Sequence, residues 1–386
     1  MSAQSERARR LYRDTFGTDP AVVARAPGRL EVLGNHTDYN EGFVLSCAID
    51  RDIHVAVGRA PDAATFEFIS SQYPQRAAVS DVSPRKEQGW VNYPLGVCAM
   101  IRERGDVCPA FRIAVHGEVP LGAGLSSSAA LEVSTAIALR RLYGLGIADD
   151  DVARLCQAAE NRFAGAQCGL LDQFSSLFGE AGHLLYTDFR SFTHRVVRLP
   201  APEPCVVLTL SGVTHTLAES GYNERRESCL SAAGFFAGKD PAVRSLRDVT
   251  MAQLLDAKEA LDPLLFRRAR HVIGENERVQ QALRLLEQGD MAAFGRLLYE
   301  SHQSSRDNFE NSCTQLDTLV DIAASVEGVY GARLTGGGWG GATLAVLRPA
   351  AAGDYQTAAC RYKTPAGTPP EAYEIRFADG AGLVMD

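Results

Sequence analysis

Several features that would assign this chain to a common protein class are absent from its sequence. No run of about 18 uninterrupted apolar residues occurs, so no membrane-spanning helix is expected. The 39 Lys and Arg residues are outnumbered by 47 Asp and Glu residues, and the net charge of −8 argues against a nucleic-acid or acidic-membrane partner. Residues 1–10 are polar and lack the apolar centre of a secretory signal peptide. These absences predict a cytoplasmic protein without a membrane segment.

Recognisable metal and dinucleotide motifs are also absent. The nine cysteines form no C-x-x-C pair, which favours reduced thiols over disulfides. The eight histidines show neither H-x-H nor H-x-x-x-H spacing, so a structural zinc site is not expected. The glycine-rich segment 335–341 matches neither the dinucleotide fingerprint nor the G-x-x-x-x-G-K-[ST] loop. Any phosphate site must therefore be built from backbone amides, a few cations or a metal.

The length and local patterns of the chain predict two lobes. A chain of 386 residues with 46% hydrophobic residues exceeds what one core usually supports. The proline-rich stretch 200–204 is the softest boundary, so we divide the chain into lobes at 1–200 and 201–386. The patterns predict helices over 3–17, 92–104, 127–143, 149–164 and much of 218–325, and strands over 22–26, 53–57, 111–115, 183–199, 205–210 and 343–347.

The most informative segment is 120–133, which reads PLGAGLSSSAALEV. Gly122 and Gly124 allow the backbone to approach another molecule closely. Ser126–Ser128 then place hydroxyls where a helix begins, and the N-terminus of a helix attracts anions, most often phosphate. Taken alone, the segment is equally compatible with an ordinary capped helix.

Three other segments carry residues suited to chemistry. The polar segment 26–42, interpreted as a loop after the strand at 22–26, combines Arg, Asn, His and Asp in a manner suited to a ligand with several hydroxyls. Asp172 lies among apolar residues, where a carboxylate needs a partner or a function, and Arg29 could be that partner. Glu160, which precedes Asp172 in the chain, lies on the predicted helix 149–164, although most glutamates on helices are solvated. The bare loop 335–341 would let a ligand approach the backbone.

In this order and at these distances, the segments resemble the GHMP kinases and, within them, the galactokinase family. The resemblance covers about residues 22–346. The matching runs are Pro120–Ala129, Gly28–Gly42 with one exception, Trp90 to Tyr93, Gly169 to Phe174, His215 and Leu217, Tyr222 to Arg226, Arg268 to Glu275, Ser301 to Asp307 and Thr335–Gly341. It implies a two-lobed fold of α/β and α+β type, in which a ribosomal protein S5 domain 2-like N-terminal lobe meets a ferredoxin-like α+β C-terminal lobe at the active site.

The resemblance also implies ATP-dependent phosphorylation of the anomeric hydroxyl of α-D-galactose to galactose 1-phosphate. Asp172 would act as the base and Arg29 would lie beside it. The residues implied for the sugar are Asn35, His36, Asp38, Gly169 and Tyr222. Those implied for ATP are Trp90, Gly122, Gly124, Leu125, Ser126, Ser127 and Ser128, while Ser128 and Glu160 would hold Mg²⁺. Partners would be the sugar and ATP alone, and a monomer is favoured.

One departure from the family leaves the sugar open. Galactokinases carry glutamate before the signature histidine, where this chain has Asn35, and that glutamate helps to bind the C6 hydroxyl. An asparagine would no longer repel a carboxylate at C6. The alternatives are therefore a sugar 1-kinase for galacturonate, an amino-galactose or arabinose, and a non-catalytic galactose and ATP sensor. The intact run Ser126–Ala130 favours an enzyme over a sensor.

Overall fold

The computed structural model describes residues 2–62, 64–73, 75–213 and 218–385. Its helices are α1 (Ala3–Phe16), α2 (Asn92–Glu103), α3 (Ser127–Tyr143), α4 (Asp149–Ala159), α5 (Leu171–Phe178), α6 (Ala218–Ala237), α7 (Met251–Asp256), α8 (Pro263–Gln288), α9 (Met291–Ser304), α10 (Thr314–Ala324) and α11 (Ala352–Ala359). Its strands are β1 (Val22–Leu33), β2 (Phe43–Arg59), β3 (Phe66–Ser70), β4 (Ala77–Val79), β5 (Phe111–Gly117), β6 (His183–Asp188), β7 (Thr193–Arg198), β8 (Cys205–Leu210), β9 (Val329–Thr335), β10 (Ala342–Leu347), β11 (Ala372–Ile375) and β12 (Gly382–Leu383).

The first sheet has strand order β12-β1-β2-β5-β3-β4, and β6 and β7 extend from β2. All its pairings are antiparallel except that of β3 with β5. Successive side chains of a strand point to opposite faces. Val55 and Val57 accordingly enter the main core, while Ala56 between them packs with Tyr12 of α1 on the other face. Both faces of this sheet are therefore covered.

The second sheet is antiparallel, with strand order β11-β8-β10-β9. Its strands alternate in the same way. Leu344 and Val346 belong to the main core, whereas Ala345 and Leu347 enter a smaller core with Tyr355 of α11. The main core thus runs from one sheet to the other, and the two lobes are packed together through shared apolar residues.

The predicted helices and strands are largely confirmed, and one interpretation was wrong. Residues 26–33 of the predicted loop 26–42 lie within β1, because the strand continues to Leu33 past a bulge between Pro27 and Arg29. Gly28 makes this course possible, since a Cβ there would lie 2.8 Å from the carbonyl oxygen of Leu125. The predicted helix 149–164 ends as α4 at Ala159 and continues as one π-helical turn over Glu160–Ala164.

Strands β1–β7 lie in the first sheet and β8–β11 in the second, while β12 returns to pair with β1. The division of the chain near residue 200 stays a proposal. Within the described residues, no helix combines the length and apolar character that crossing a bilayer would require.

Two glycines bring α9 against β9, the strand that leads into the glycine-rich loop. A Cβ on Gly295 would lie 1.9 Å from the carbonyl oxygen of Tyr330, and one on Gly331 would lie 2.1 Å from that of Gly295. The contact is between backbones, so neither side can yield by turning a side chain. This packing fixes the direction in which the chain leaves β9.

We predict that Gly295→Ala lowers the free energy of unfolding by about 2–3 kcal/mol, because the added methyl group must push the two backbones apart. Gly234→Ala is the matched control, since Gly234 is exposed on α6 and a Cβ there meets no atom within 4 Å. That variant should be unchanged or stabilised by up to about 1 kcal/mol. Urea unfolding of both variants measures the difference, and equal effects would contradict the packing argument.

Candidate active site

The loop before α3 has the geometry of an anion site. Gly122, Gly124 and Ser126 all have positive φ, of 69°, 72° and 58°, so the chain curls tightly before α3 begins at Ser127. The Ser126 hydroxyl is buried, and among the described residues it has no hydrogen-bond partner. A buried hydroxyl beside a helix N-terminus indicates that a polar ligand completes this loop.

Arg29 joins this loop to Asp172. Its Nε and Nη2 both lie 2.8 Å from Oδ1 of Asp172, and its Nη1 donates to the carbonyl oxygen of Gly124 at 2.5 Å. Its backbone amide donates to the carbonyl of Leu125 at 3.1 Å. Arg29 is only 4% exposed, so solvent does not compete for these bonds. Among the described residues, Oδ2 of Asp172 accepts no hydrogen bond, so this oxygen is left to face the cleft.

Two cavities meet at the loop. The first, of about 280 Å³, contains Asp172 and the polar residues that follow β1. The second, of about 720 Å³, contains Trp90, whose ring stacks on Tyr73 at 6.3 Å. Gly122, Ser127 and Ser128 line both cavities. A ligand could therefore occupy the second cavity and extend past the loop to Asp172.

Asp38 lies beside Asp172 in the first cavity. Its Oδ2 accepts from the amide of Leu171 at 3.5 Å, and a Cβ on Gly169 would lie 1.8 Å from the same oxygen. Only glycine at position 169 allows this approach. Burial, reinforced by the charge of Asp172, raises the pKa of Asp38 from 3.8 to about 7.

Glu160 forms a second acidic position at the loop. Its Oε1 accepts from the Ser128 hydroxyl at 2.8 Å, and its Oε2 accepts from Gln173 Nε2 at 2.9 Å. Burial and then the charge of Asp172 raise the pKa of Glu160 to about 7. Glu132 lies behind it, and burial raises the pKa of this carboxyl well above its ordinary value.

The pair of Ser128 and Glu160 fits Mg²⁺, which prefers hard oxygen ligands and is usually bound by one or two carboxylates together with substrate phosphates. Among the described residues, no group of three or more His, Cys, Asp and Glu side chains could hold a metal by itself. A single carboxylate and a hydroxyl at the start of α3 are compatible with that preference.

His36 contributes a wall. Its Nε2 donates to the carbonyl oxygen of Gly337 at 3.1 Å, and its Nδ1 accepts from the Tyr39 hydroxyl at 2.9 Å. The ring packs against Tyr222 and Phe309, with centroids 5.1 and 4.6 Å away. Burial lowers the pKa of His36 to about 4, so the ring is neutral at pH 7. Both ring nitrogens already have protein partners.

Asn35 is held in the same way. Its Nδ2 donates to Glu31 Oε1 at 2.8 Å and to the Gly336 carbonyl at 2.9 Å, while its Oδ1 accepts from Asn311 Nδ2 at 2.9 Å. Its backbone amide donates to Glu275 Oε2 at 2.9 Å. The residue is fully buried, and its amide group is engaged by protein atoms on every side.

Two carboxylates beneath Asn35 belong to a buried ionic network. Glu31 pairs with Arg333, whose Nη1 lies 3.0 Å from Oε1. Glu275 pairs with Arg278 at 2.6 Å. Burial opposes ionisation of Glu275, but Arg278 and Arg333 outweigh it and hold its pKa well below the usual range. Burial raises the pKa of Glu31, with Arg333 and Arg29 opposing the shift.

The structure brings the predicted site residues together. Every site residue predicted in the sequence analysis lines the first cavity, except Trp90, which lines the second. The family-matching positions His215 and Leu217 lie outside the described residues. The sequence reasoning missed Glu31, Glu275 and Arg333. A signal for Glu31 existed, because it is a lone carboxylate within the apolar run Leu30–Leu33, the same signal that identified Asp172.

Family profiles match three parts of the chain. The galactokinase galactose-binding signature matches residues 10–59, the GHMP kinases N terminal domain matches 92–180, and the GHMP kinases C terminal profile matches 282–363. The first contains Arg29 and Asp38, and the second contains the segment 120–133. The third contains the glycine-rich loop 335–341.

Whole-length relatives are also found. The chain is 40% identical over 379 residues to a galactokinase of Roseiflexus sp. (strain RS-1), covering 98% of this chain and 97% of the relative. It is 42% identical over 355 residues to the galactokinase of Homo sapiens, covering 89% and 88%.

Among solved structures, the galactokinase of Lactococcus lactis complexed with galactose superposes with a TM-score of 0.92 at 28% identity, covering 97% of this chain and 98% of that one. The mevalonate kinase of Methanococcus jannaschii superposes with a TM-score of 0.65 at 15% identity over 92% of this chain and 98% of that one, which shows a shared fold. The two-lobed fold predicted from the sequence is confirmed.

The raised pKa of Asp38 makes a stability prediction. Between about pH 4 and pH 7 the folded protein keeps a proton on Asp38 that the unfolded chain releases, so this stabilisation is complete at low pH and is lost as the pH rises through about 7. Asp38→Asn removes the penalty of burying the charge. We expect the variant to exceed the wild type by about 1–2 kcal/mol at pH 8 and to match it near pH 4, where the unfolded chain also keeps much of the proton.

Urea unfolding at both pH values tests this expectation, with the exposed Asp256→Asn as the matched control. The difference in unfolding free energy between Asp256→Asn and the wild type should be the same at both pH values. A variant at position 38 that is less stable than the wild type at pH 8 would contradict the argument.

Proposed function

The chain belongs to the galactokinase family of the GHMP kinases, and on that premise we propose that it transfers the γ-phosphoryl group of ATP to the anomeric hydroxyl of α-D-galactose. One observation carries the proposal. Arg29 connects Asp172, in the first cavity, to the loop before α3, whose Gly122, Ser127 and Ser128 line both cavities. A sugar in the first cavity and a nucleotide in the second would bring the hydroxyl and the γ-phosphate together there.

Asp172 is the proposed base. Arg29 holds Oδ1, so Oδ2 is the oxygen available to accept the proton of the anomeric hydroxyl. The same guanidinium lies beside the phosphate loop and would balance charge on the transferred group. Phosphoryl transfer depends mainly on positioning and charge neutralisation, and both are met by this one ion pair.

The ATP site is proposed along the loop and the second cavity. Gly122, Gly124 and Leu125 would direct backbone groups at the triphosphate, and Ser126–Ser128 would add hydroxyls at the start of α3. The partnerless Ser126 hydroxyl supports this assignment. Trp90, stacked on Tyr73, would pack near the adenine.

Ser128 and Glu160 are the residues proposed to hold Mg²⁺. When bound, the ion would neutralise phosphate charge. The raised pKa of Glu160 supports the assignment, because a carboxylate that keeps a proton near pH 7 gains most from a nearby cation. Gln173 fixes the other oxygen of Glu160 and so orients the carboxylate.

The sugar site is proposed over Asp38, Gly169 and Tyr222, with His36 and Asn35 behind them. Asp38 is suited to accept from sugar hydroxyls, and Gly169 leaves it the room to do so. His36 and Asn35 have their polar groups bound to protein, so we assign them to shaping the wall. All nine cysteines are free thiols, which supports a cytoplasmic location, and we propose a monomer.

ADP release with galactose, galactosamine, N-acetylgalactosamine, galacturonate, 6-deoxygalactose, arabinose and glucose tests the proposal. Galactose should give the highest kcat/KM. Kinases for the other sugars are not favoured, because the relatives found are galactokinases. A sensor would bind galactose and release no ADP, and the complete set of Arg29, Asp172 and Ser126–Ser128 argues against it.

We predict that Asp172→Asn and Asp172→Ala lower kcat by at least ~100-fold, because each removes the proton acceptor, while galactose still binds. Initial rates of ADP release give kcat, and calorimetry with galactose gives the affinity. Asp150→Asn, exposed at α4, is the matched control and should leave both unchanged. A kcat within about 3-fold of wild type would contradict the assignment of the base.

We predict that Glu160→Gln raises the Mg²⁺ concentration for half-maximal rate by ~10-fold or more, because the amide carries no charge for the ion. Galactose binding without nucleotide should persist. The exposed Glu287→Gln is the control. An unchanged Mg²⁺ dependence would place the ion elsewhere.

A further inference from the structure

Glu31 lines the first cavity together with Arg29. It is two residues from Arg29 on β1, and the pairing with β2 is regular between them, with Arg29 opposite Ala48 and Glu31 opposite Ser46. Side chains two apart on a strand share a face. Glu31 therefore faces the same cleft as Arg29, about 7 Å further along the strand. That separation is comparable to the width of a pyranose ring.

Only one oxygen of Glu31 is engaged. Oε1 accepts from Asn35 Nδ2 at 2.8 Å and from Arg333 Nη1 at 3.0 Å. In the part of the chain that the structure describes, Oε2 accepts no hydrogen bond, and it is not among the buried atoms that lack a partner. A carboxylate can accept about four hydrogen bonds, so this oxygen is left for a ligand in the cavity.

Asn35 cannot take this part. Both protons of its Nδ2 are given to protein oxygens, and its Oδ1 accepts from Asn311. Turning the amide toward a sugar would leave Glu31 and Asn311 without these bonds in a buried site. Asn35 is instead placed to hold the carboxylate of Glu31, through the hydrogen bond from its Nδ2 to Oε1.

We propose that Glu31 is a specificity-determining residue of the sugar site, with Asn35 and Arg333 as its positioning residues. Its Oε2 accepts a hydrogen bond from a sugar hydroxyl remote from the anomeric one. A sugar with a carboxylate in place of that group is excluded, because two carboxylates would meet in a site with little water. This inference rests on the proposed function, and it predicts that galacturonate is rejected without a glutamate at position 35.

The test compares four proteins: wild type, Glu31→Gln, Asn35→Glu and the exchange variant Glu31→Asn with Asn35→Glu. Each is assayed with galactose, 2-deoxygalactose, 4-deoxygalactose, 6-deoxygalactose and galacturonate. We expect Glu31→Gln to raise KM for galactose by roughly 10- to 100-fold, the range for one hydrogen bond to a charged group. The ratio of kcat/KM for galactose to kcat/KM for one of the deoxy sugars should fall in the same variant, while KM for ATP stays unchanged.

Asn35→Glu should bind galactose poorly, because it places two carboxylates within hydrogen-bond distance. The exchange variant again pairs one carboxylate with one amide. Its preference for galactose over that deoxy sugar and over galacturonate should return to within about 3-fold of the wild-type value. This recovery separates specificity from a merely structural role, and it decides the matter even if Glu31→Gln fails to fold.

Two results would overturn the inference. One is a Glu31→Gln variant whose sugar preferences all equal those of the wild type. The other is an exchange variant that folds, by its thermal midpoint, but recovers no preference. Failure of the proposed function is a distinct result, since the wild type itself would then release no ADP with galactose.

Discussion

The site depends on one ion pair, between the buried Arg29 and the half-buried Asp172. Arg29 belongs to β1 of the first sheet and Asp172 to α5, and the same guanidinium reaches the carbonyl of Gly124 in the loop before α3. Strand, helix and loop are thus fixed relative to one another by one side chain. Removing Asp172 would leave the buried guanidinium of Arg29 without its counter-charge, while its bond to the Gly124 carbonyl remains. The ion pair therefore both supports the packing of this region and orients the proposed base.

Around that pair the protein accumulates acidic groups whose ionised forms are costly to bury. Burial and the charge of Asp172 raise the pKa of both Asp38 and Glu160. Each carboxylate would be relieved by a ligand, a sugar hydroxyl for Asp38 and a cation for Glu160. The site is thus less stable empty than filled, and ligand binding and folding stability are coupled through the same groups.

Much of this could be predicted from the sequence, because the signals are local. The glycines and serines of 120–133 predict a loop before a helix, and Asp172 is a lone carboxylate among apolar residues. The network beneath Asn35 could not be predicted, because its partners come from distant parts of the chain. Glu31 meets Arg333 across about 300 residues, and the amide of Gly34 meets Glu275. Such pairs depend on how the lobes pack, which no spacing in the sequence records.

These long-range pairs also show how the sugar site is assembled. The turn that follows β1 carries Asn35 and His36, and its amides are held by Glu275 of α8 while His36 donates to the glycine-rich loop. Residues of the N-terminal lobe thus obtain their orientation from the C-terminal lobe. His36 itself has a positive φ of 59°, a conformation that costs free energy in a residue other than glycine and that persists only where surrounding contacts impose it. The proposed sugar site therefore depends on how the lobes pack, and so does the loop before α3, because a Cβ on Gly336 would lie 2.6 Å from the carbonyl oxygen of Gly124.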